Sequence, residues 1–258
     1  MDLDLKNRFF VVTGAGSGFG RAIAERLLAE EAFVLAVARS KDVLNSFQAS
    51  HPEKLIILVG DISHPTVQDE LLEMCQNRTL DGVLINAGGP PAKSFMETEL
   101  FDWDEAYRLI LRWKVALVKQ LIPKMIHQNY GRIVFIESIS VKQPIENLVL
   151  SNSLRLAVVG FVKSLSMDIA SQNVNLNILA PGYHNTAAMQ RLFDKKAEME
   201  HISIAEAKKS FEKHIPVGKM GEADEMAVLA CWLLSPLSRY VTGQTFSHDG
   251  GLAKGIFG

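Results

Sequence analysis

Phe9-Phe10-Val11-Val12-Thr13-Gly14-Ala15-Gly16-Ser17-Gly18-Phe19-Gly20-Arg21 decides how the rest of the chain folds. Its apolar start predicts a buried strand, its glycines a tight turn, and the continuation from Arg21 to Leu28 a helix. A strand that ends in a glycine turn and opens a helix aims free N–H groups and the positive end of a helix dipole at one point, which suits a phosphate. Some of these glycines permit positive φ, and others keep side chains away where a diphosphate or a neighbouring strand comes close. The spacing is selective. A Gly-x-Gly-x-x-Gly reading fails, because the third glycine's place falls on Phe19 counting from Gly14 and on Arg21 counting from Gly16. Thr-Gly-x-x-x-Gly-x-Gly fits through Thr13, Gly14, Gly18 and Gly20, with Ser17 and Phe19 inside the turn.

Around this stretch lie 258 residues, 48% hydrophobic and 22% charged, enough to bury the core of one α/β domain spanning residues 1–258. A formal net charge of −2 gives no electrostatic reason to expect nucleic acid or an anionic membrane surface as partner. Cys75 and Cys231 are the only cysteines, and the chain starts Met1-Asp2-Leu3-Asp4. Neither a disulfide framework nor a signal peptide is expected, no apolar run is long enough for a membrane span, and a cytoplasmic protein follows.

Further strands are expected at Ala32 to Ala38 and Leu55 to Val59, short and apolar as in a sheet buried on both faces, and at Gly82 to Ile85, Gly131 to Ile136 and Val174 to Leu179. Helical spacing predicts helices at Pro65 to Gln76, at Leu148 to Ile169, and in one long stretch from Trp103 to Gln128, where Pro123 is placed to kink it. Six strand–helix alternations imply a doubly wound parallel sheet. The second strand ends at Ala38-Arg39 with no acid to claim a ribose hydroxyl. Arg39 therefore either holds the 2′-phosphate of NADP or belongs to a solvated basic turn. Residues 187–214 are charged and helix-favouring, with Met189 and Phe193 as apolar points.

The glycine turn, the Asn86-Ala87-Gly88 loop after the fourth strand and Pro181-Gly182 followed by Thr186 resemble the short-chain dehydrogenase/reductase family over almost the whole chain. That resemblance implies a Rossmann-like fold, NADP(H) as preferred cofactor with NAD(H) as the alternative, and no metal. It places Asp61 and Ile62 at the adenine, and Pro181, Gly182, His184 and Thr186 at the nicotinamide. Asn86 either contacts the cofactor or only ties adjacent strands together. The 187–214 segment becomes a substrate lid or a solvated helix pair, and the expected assembly is a homotetramer or homodimer acting on a small-molecule or acyl-thioester substrate.

The family's usual catalytic set is Asn, Ser, Tyr and Lys, with Tyr and Lys one helical turn apart. Anchored on Gly131-Arg132-Ile133 and Pro181-Gly182, the serine is Ser138, whereas Ser151 stands at the Tyr position, Arg155 at the Lys position and Ile110 at the Asn position. A serine hydroxyl is a poor proton donor at neutral pH, while an arginine keeps its charge and fork of donors. Val141-Lys142-Gln143-Pro144 with Ser151-Asn152-x-x-Arg155 is similar to a divergent β-ketoacyl-acyl-carrier-protein-reductase-like branch, and the Gly89-Pro90-Pro91 loop with the 187–214 segment is similar to an atypical reductase that lacks the Tyr and reduces a conjugated alkene. Ser138, Lys142, Ser151, Arg155 and His184 are thus the candidate catalytic residues, with duller roles open to each: a turn residue for Lys142, a loop cap for His184, a ribose contact for Arg155. Three functions follow: a reductase of a carbonyl or enone with an atypical site, a 3-oxoacyl reductase using a different acid, or a cofactor-binding sensor or assembly subunit without turnover.

Overall fold

In the computed structural model, which describes residues 1–256, the opening apolar run forms β1 (Phe9–Thr13), buried throughout, and the glycine turn leads into α1 (Gly18–Ala29). Then follow β2 (Phe33–Ala38), α2 (Lys41–Ser50), β3 (Leu55–Val59), α3 (Pro65–Cys75) and β4 (Gly82–Ile85). The second half contains α4 (Leu100–Tyr107), α5 (Trp113–His127), β5 (Gly131–Ile136), α6 (Val149–Ile169), β6 (Val174–Pro181), α7 (Ala187–Glu200), α8 (Ile204–Glu212), α9 (Ala223–Leu234) and β7 (Thr245–His248).

The strands form one parallel sheet in the order β3-β2-β1-β4-β5-β6-β7. Side chains alternate between its faces. Phe9, Val11, Leu35, Val37, Ile133 and Phe135 pack with Trp113, Leu117, Leu121 and Met125 of α5. Phe10, Val12, Val34, Ala36, Val134 and Ile136 pack with Ile23 and Leu27 of α1 and Met226, Ala230 and Leu234 of α9. Burial on both faces is why β2 and β4 carry only apolar residues, while β5 and β6 also hold buried Arg132, Asn175 and Asn177. The chain begins in the middle of the sheet, winds out to β3 and returns beside β1 as β4, so a crevice opens where the order reverses, at the carboxyl ends of β1 and β4. This is the doubly wound, Rossmann-like architecture expected from the sequence.

Several elements differ from that expectation. The long helical stretch is two α-helices joined by a π-helical segment, Arg108–Arg112, and Pro123 lies inside α5 without ending it. Helix α2, buried only through Leu44 and Phe47, has too few apolar points to stand out in its sequence. The strand after the last helix, β7, is confined to Thr245–His248, between the Tyr240–Gln244 and Asp249–Gly251 segments that resemble the family's last strand. Helices α7 and α8 close a small core of their own from Met189, Phe193, Ala207, Ile215 and Met220. Among the described residues no helix is long and apolar enough to cross a membrane.

Candidate active site

The crevice is built first by backbone. Gly14 has φ +65°, and a Cβ there would stand 2.7 Å from the Asn86 carbonyl and amide, while a Cβ on Gly20 would stand 2.2 Å from the Gly14 carbonyl oxygen. Both positions need glycine because β1, the turn and β4 touch. Thr13 locks the same junction: its hydroxyl donates to Asn86 O at 2.8 Å and accepts from Asn86 N at 2.8 Å. Asn86 thus ties adjacent strands, and its side-chain amide lies against Gly14 O at 3.5 Å. Helix α1 opens without a side-chain cap, because Ser17 is extended and its hydroxyl makes no capping bond. Its first-turn N–H groups therefore have no intrahelical acceptor and suit an anion.

Along the rim, Arg39 is exposed just beyond β2 and makes no hydrogen bond or ion pair among the described residues. Ile62 is buried, and Asp61 accepts from Ser63 N at 2.9 Å. Burial pulls the Asp61 carboxyl upward, but the Ser63 bonds, with His64 and Arg39 nearby, outweigh it and hold the group below the usual carboxylate range. Ala87 is half-buried and Gly88 is exposed, with open space where a Cβ would be.

Deeper in, at the end of β5, lies a cluster of charges. Glu137 has no exposed side-chain surface, and its two carboxylate oxygens are divided: one meets the Lys114 ammonium, the other accepts from Arg155 Nη1 at 2.9 Å. Arg155 Nε donates to Ser151 Oγ at 3.0 Å, one helical turn back on α6. Its remaining nitrogen, Nη2, stands 2.9 Å from where a Cβ on Gly89 would be. Burial lowers the Lys114 pKa against the pull of Glu137, and the Arg155 charge lowers it further. Ser138 follows Glu137, and its hydroxyl accepts from Ser140 N at 3.1 Å, capping a short turn.

The loop after β6 carries a different cluster. His184 is 2% exposed, its Nδ1 lies 3.1 Å from Gly182 O, and its Nε2 lies 2.8 Å from His248 Nδ1. A carbonyl only accepts, so Nδ1 carries the proton and Nε2 accepts from His248. Burial lowers the His184 pKa, the Gly182 bond opposes that, and His248 lowers it further. Phe19 meets the His184 ring edge-on at 5.0 Å, Gly182 N donates to His248 O at 3.0 Å, and Thr186 caps α7 by accepting from Met189 N at 3.4 Å. A Cβ on Gly18 would lie 3.8 Å from the Thr186 methyl. His184 and Thr186 therefore approach Phe19 and Gly18 of the glycine turn, on the loop that also carries Pro181 and Gly182.

The candidates thus fall into separate groups. Ser151 and Arg155 are joined, and Ser138 follows directly on their partner Glu137. His184 belongs to the β6 loop. Lys142 lines a cavity of about 320 Å³ with Ser140, Val141, Pro144, Asn152, Ser153 and Leu156, outside the hydrogen bonds of both clusters. No tyrosine hydroxyl bonds to Ser138, Ser151 or Arg155 among the described residues: Tyr130 stacks under Arg132, Tyr183 packs on Phe211, and Tyr107 and Tyr240 are exposed. Lys114 and Glu137 were not among the candidates. The available signal was a charged residue on the buried stripe of a helix, Lys114-Leu117-Leu121-Met125, and another directly after the buried strand β5.

A family model described as enoyl-(acyl carrier protein) reductase matches residues 14–253. The 3-oxoacyl-[acyl-carrier-protein] reductase FabG of Aquifex aeolicus is 28% identical over 98% of this chain and all of its own length. The NADPH-dependent reductase BacG of Bacillus subtilis is likewise 28% identical, over 98% of this chain and 100% of its own. Among solved structures, YwfH, an NADPH-dependent reductase involved in bacilysin biosynthesis, superposes with a TM-score of 0.91 at 27% identity, covering 97% of this chain and 100% of that one.

Proposed function

The chain belongs to the short-chain dehydrogenase/reductase family, and from that premise we propose that it is an NADP(H)-dependent oxidoreductase with a reworked active site that reduces a carbonyl or, preferentially, a conjugated enone. The observation that carries this reading is Arg155, a guanidinium fixed by Ser151 and Glu137, with one nitrogen uncommitted and no phenol beside it among the described residues.

The cofactor-binding residues fit a dinucleotide: the uncapped start of α1 takes the diphosphate, Asp61 and Ile62 flank the adenine, and Arg39 meets the 2′-phosphate, with no acid at Ala38 to prefer a free hydroxyl. Pro181, Gly182, His184 and Thr186 would hold the nicotinamide, which would supply the hydride for the acceptor carbon. In conjugate reduction the electron pair of the alkene then moves to the remote oxygen, where Arg155 and Ser138 stabilise the negative charge, and water protonates the α-carbon. Such chemistry does not need a tyrosine acid. Helices α7 and α8 form the lid over the acceptor, packed on Tyr183 through Phe211.

NADPH oxidation screened against paired ketones and enones tests the proposal. We expect enones to be favoured and deuteride from labelled NADPH to appear at the β-carbon. Fast reduction of a saturated 3-oxoacyl thioester, indifferent to changes at Ser138 and Arg155, would overturn it in favour of a 3-oxoacyl reductase with another acid. No turnover on any acceptor would point to a sensor. NADPH should also bind more tightly than NADH in a fluorescence titration, with the preference lost in Arg39→Ala. We further propose a cytoplasmic homodimer or homotetramer: Phe95, Met96, Leu100 and Phe101 are 65–88% exposed on adjacent segments, an apolar surface that a second copy would cover.

A further inference from the structure

The buried cluster at the end of β5 holds two cations and one anion. Lys114 is 2% exposed, the Glu137 side chain is fully covered and that of Arg155 is 11% exposed. Among the described residues Lys114 and Arg155 each make an ion pair with Glu137 and with no other carboxylate, so two cationic side chains share one anion. Burying ions costs several kcal/mol each unless good geometry repays it, and a buried ion pair is often replaceable by apolar side chains without loss of stability. A scaffold pair would also be balanced. Here the carboxylate is split, with one oxygen anchored by Lys114 and the other spent on Arg155, and the guanidinium is further held at Nε by Ser151. Two contacts therefore fix the fork, and its free arm, Nη2, is left facing Gly89, where a Cβ would stand 2.9 Å from it.

We infer that Glu137, clamped by Lys114, is a positioning residue: it holds the Arg155 guanidinium so that Nη2 and the surplus positive charge meet an oxyanion on the acceptor. This rests on the reductase reading for its reaction, but the geometry alone predicts a receptor for a planar, anionic oxygen. The four residues act as one device. Lys114 sets the carboxylate, Glu137 and Ser151 set the guanidinium, and Gly89 keeps its outer face clear.

The test pairs a binding probe with turnover. With 4-nitrophenolate as the oxyanion mimic, followed by its visible band, Glu137→Gln should weaken binding about ten- to a hundredfold, the range expected for loss of an aligned hydrogen bond to a charged group. Turnover of 2-cyclohexenone with NADPH should fall through kcat, while the affinity for NADPH alone stays nearly unchanged. Gly89→Ala keeps every charge, pushes only on Nη2, and should lower nitrophenolate binding and kcat without lowering the melting temperature. That variant carries the test if Glu137→Gln does not fold. Equal or tighter nitrophenolate binding in Glu137→Gln would mean that net charge rather than alignment matters, and unchanged binding in Gly89→Ala would mean that Nη2 faces no ligand. Either result overturns the inference. If the wild type binds nitrophenolate but reduces no acceptor, the reductase reading fails while the positioning role is still decided by the binding arm.

Discussion

Two polar clusters are buried at the carboxyl edge of the sheet, and they are held together by opposite means. Around Glu137 every contact is ionic, between Lys114 on α5, the end of β5 and Arg155 on α6. Around His184 every contact is neutral, a chain of Gly182 carbonyl, imidazole and imidazole that closes the β6 loop onto β7. The contrast teaches what each can do. A neutral chain orders a loop at little desolvation cost, whereas charges are worth burying where a charge must be met.

The comparison breaks most visibly if Glu137 is removed. Glu137→Leu leaves two buried cations facing each other, and breaking a buried ion pair in this way typically costs about 3–5 kcal/mol. The midpoint of chemical denaturation should drop accordingly. Replacing Lys114, Glu137 and Arg155 together by Met, Leu and Met should restore most of that loss and leave a stable protein without turnover. If the triple variant is no more stable than Glu137→Leu, the cluster is scaffold and the contrast fails.

The different visibility of the two halves of the site follows from the same physics. The glycine turn was legible because its constraints are local: a strand, a positive-φ glycine and a helix start lie within a dozen residues and leave their mark in residue type. Ser138, Ser151 and Arg155 were legible as positions, and Arg155 lies one turn from Ser151 as helical spacing requires. Their meaning was hidden, because the partner that organises them is 18 residues away in sequence from Arg155 and 23 from Lys114. Lys114 reads as one polar residue in an amphipathic helix until α5 is seen to turn it inward, directly after the π-helical segment. His184 was picked out as a loop residue, but its partner His248 ends a strand that sequence periodicity did not resolve, since Thr245–His248 is short and only partly buried.

A smaller effect sharpens the neutral side. His184→Phe keeps a ring against Phe19 but leaves the Gly182 carbonyl and the His248 Nδ1–H without their partner. Each buried group left unsatisfied costs about 1–3 kcal/mol. His248 is only partly covered, so water can replace part of what it loses. The melting temperature should fall less than in Glu137→Leu. The affinity for NADPH should fall too, because the loop carrying Thr186 loosens over the glycine turn.

The smallest effect is the dependence on pH, and it separates the clusters without mutating either. His184 has its pKa lowered in the folded state, chiefly by burial. The unfolded chain then binds more protons than the folded one between the lowered value and the ordinary histidine value near 6.5. Stability contributed by the neutral imidazole is therefore complete above about pH 6.5 and is lost as the pH falls from there through the folded-state pKa. The groups that bear on it are His248, which opposes protonation, and Glu222 and Glu225, which favour it weakly. In the neutral pair His248 donates from Nδ1 to His184 Nε2. A proton on His184 places an N–H at Nε2 against that donor and forces His248 to change tautomer. Acidification from neutral pH should thus lower the melting temperature of the wild type more than that of His184→Phe. Equal slopes in the two proteins would show that His184 does not hold the loop as a neutral acceptor.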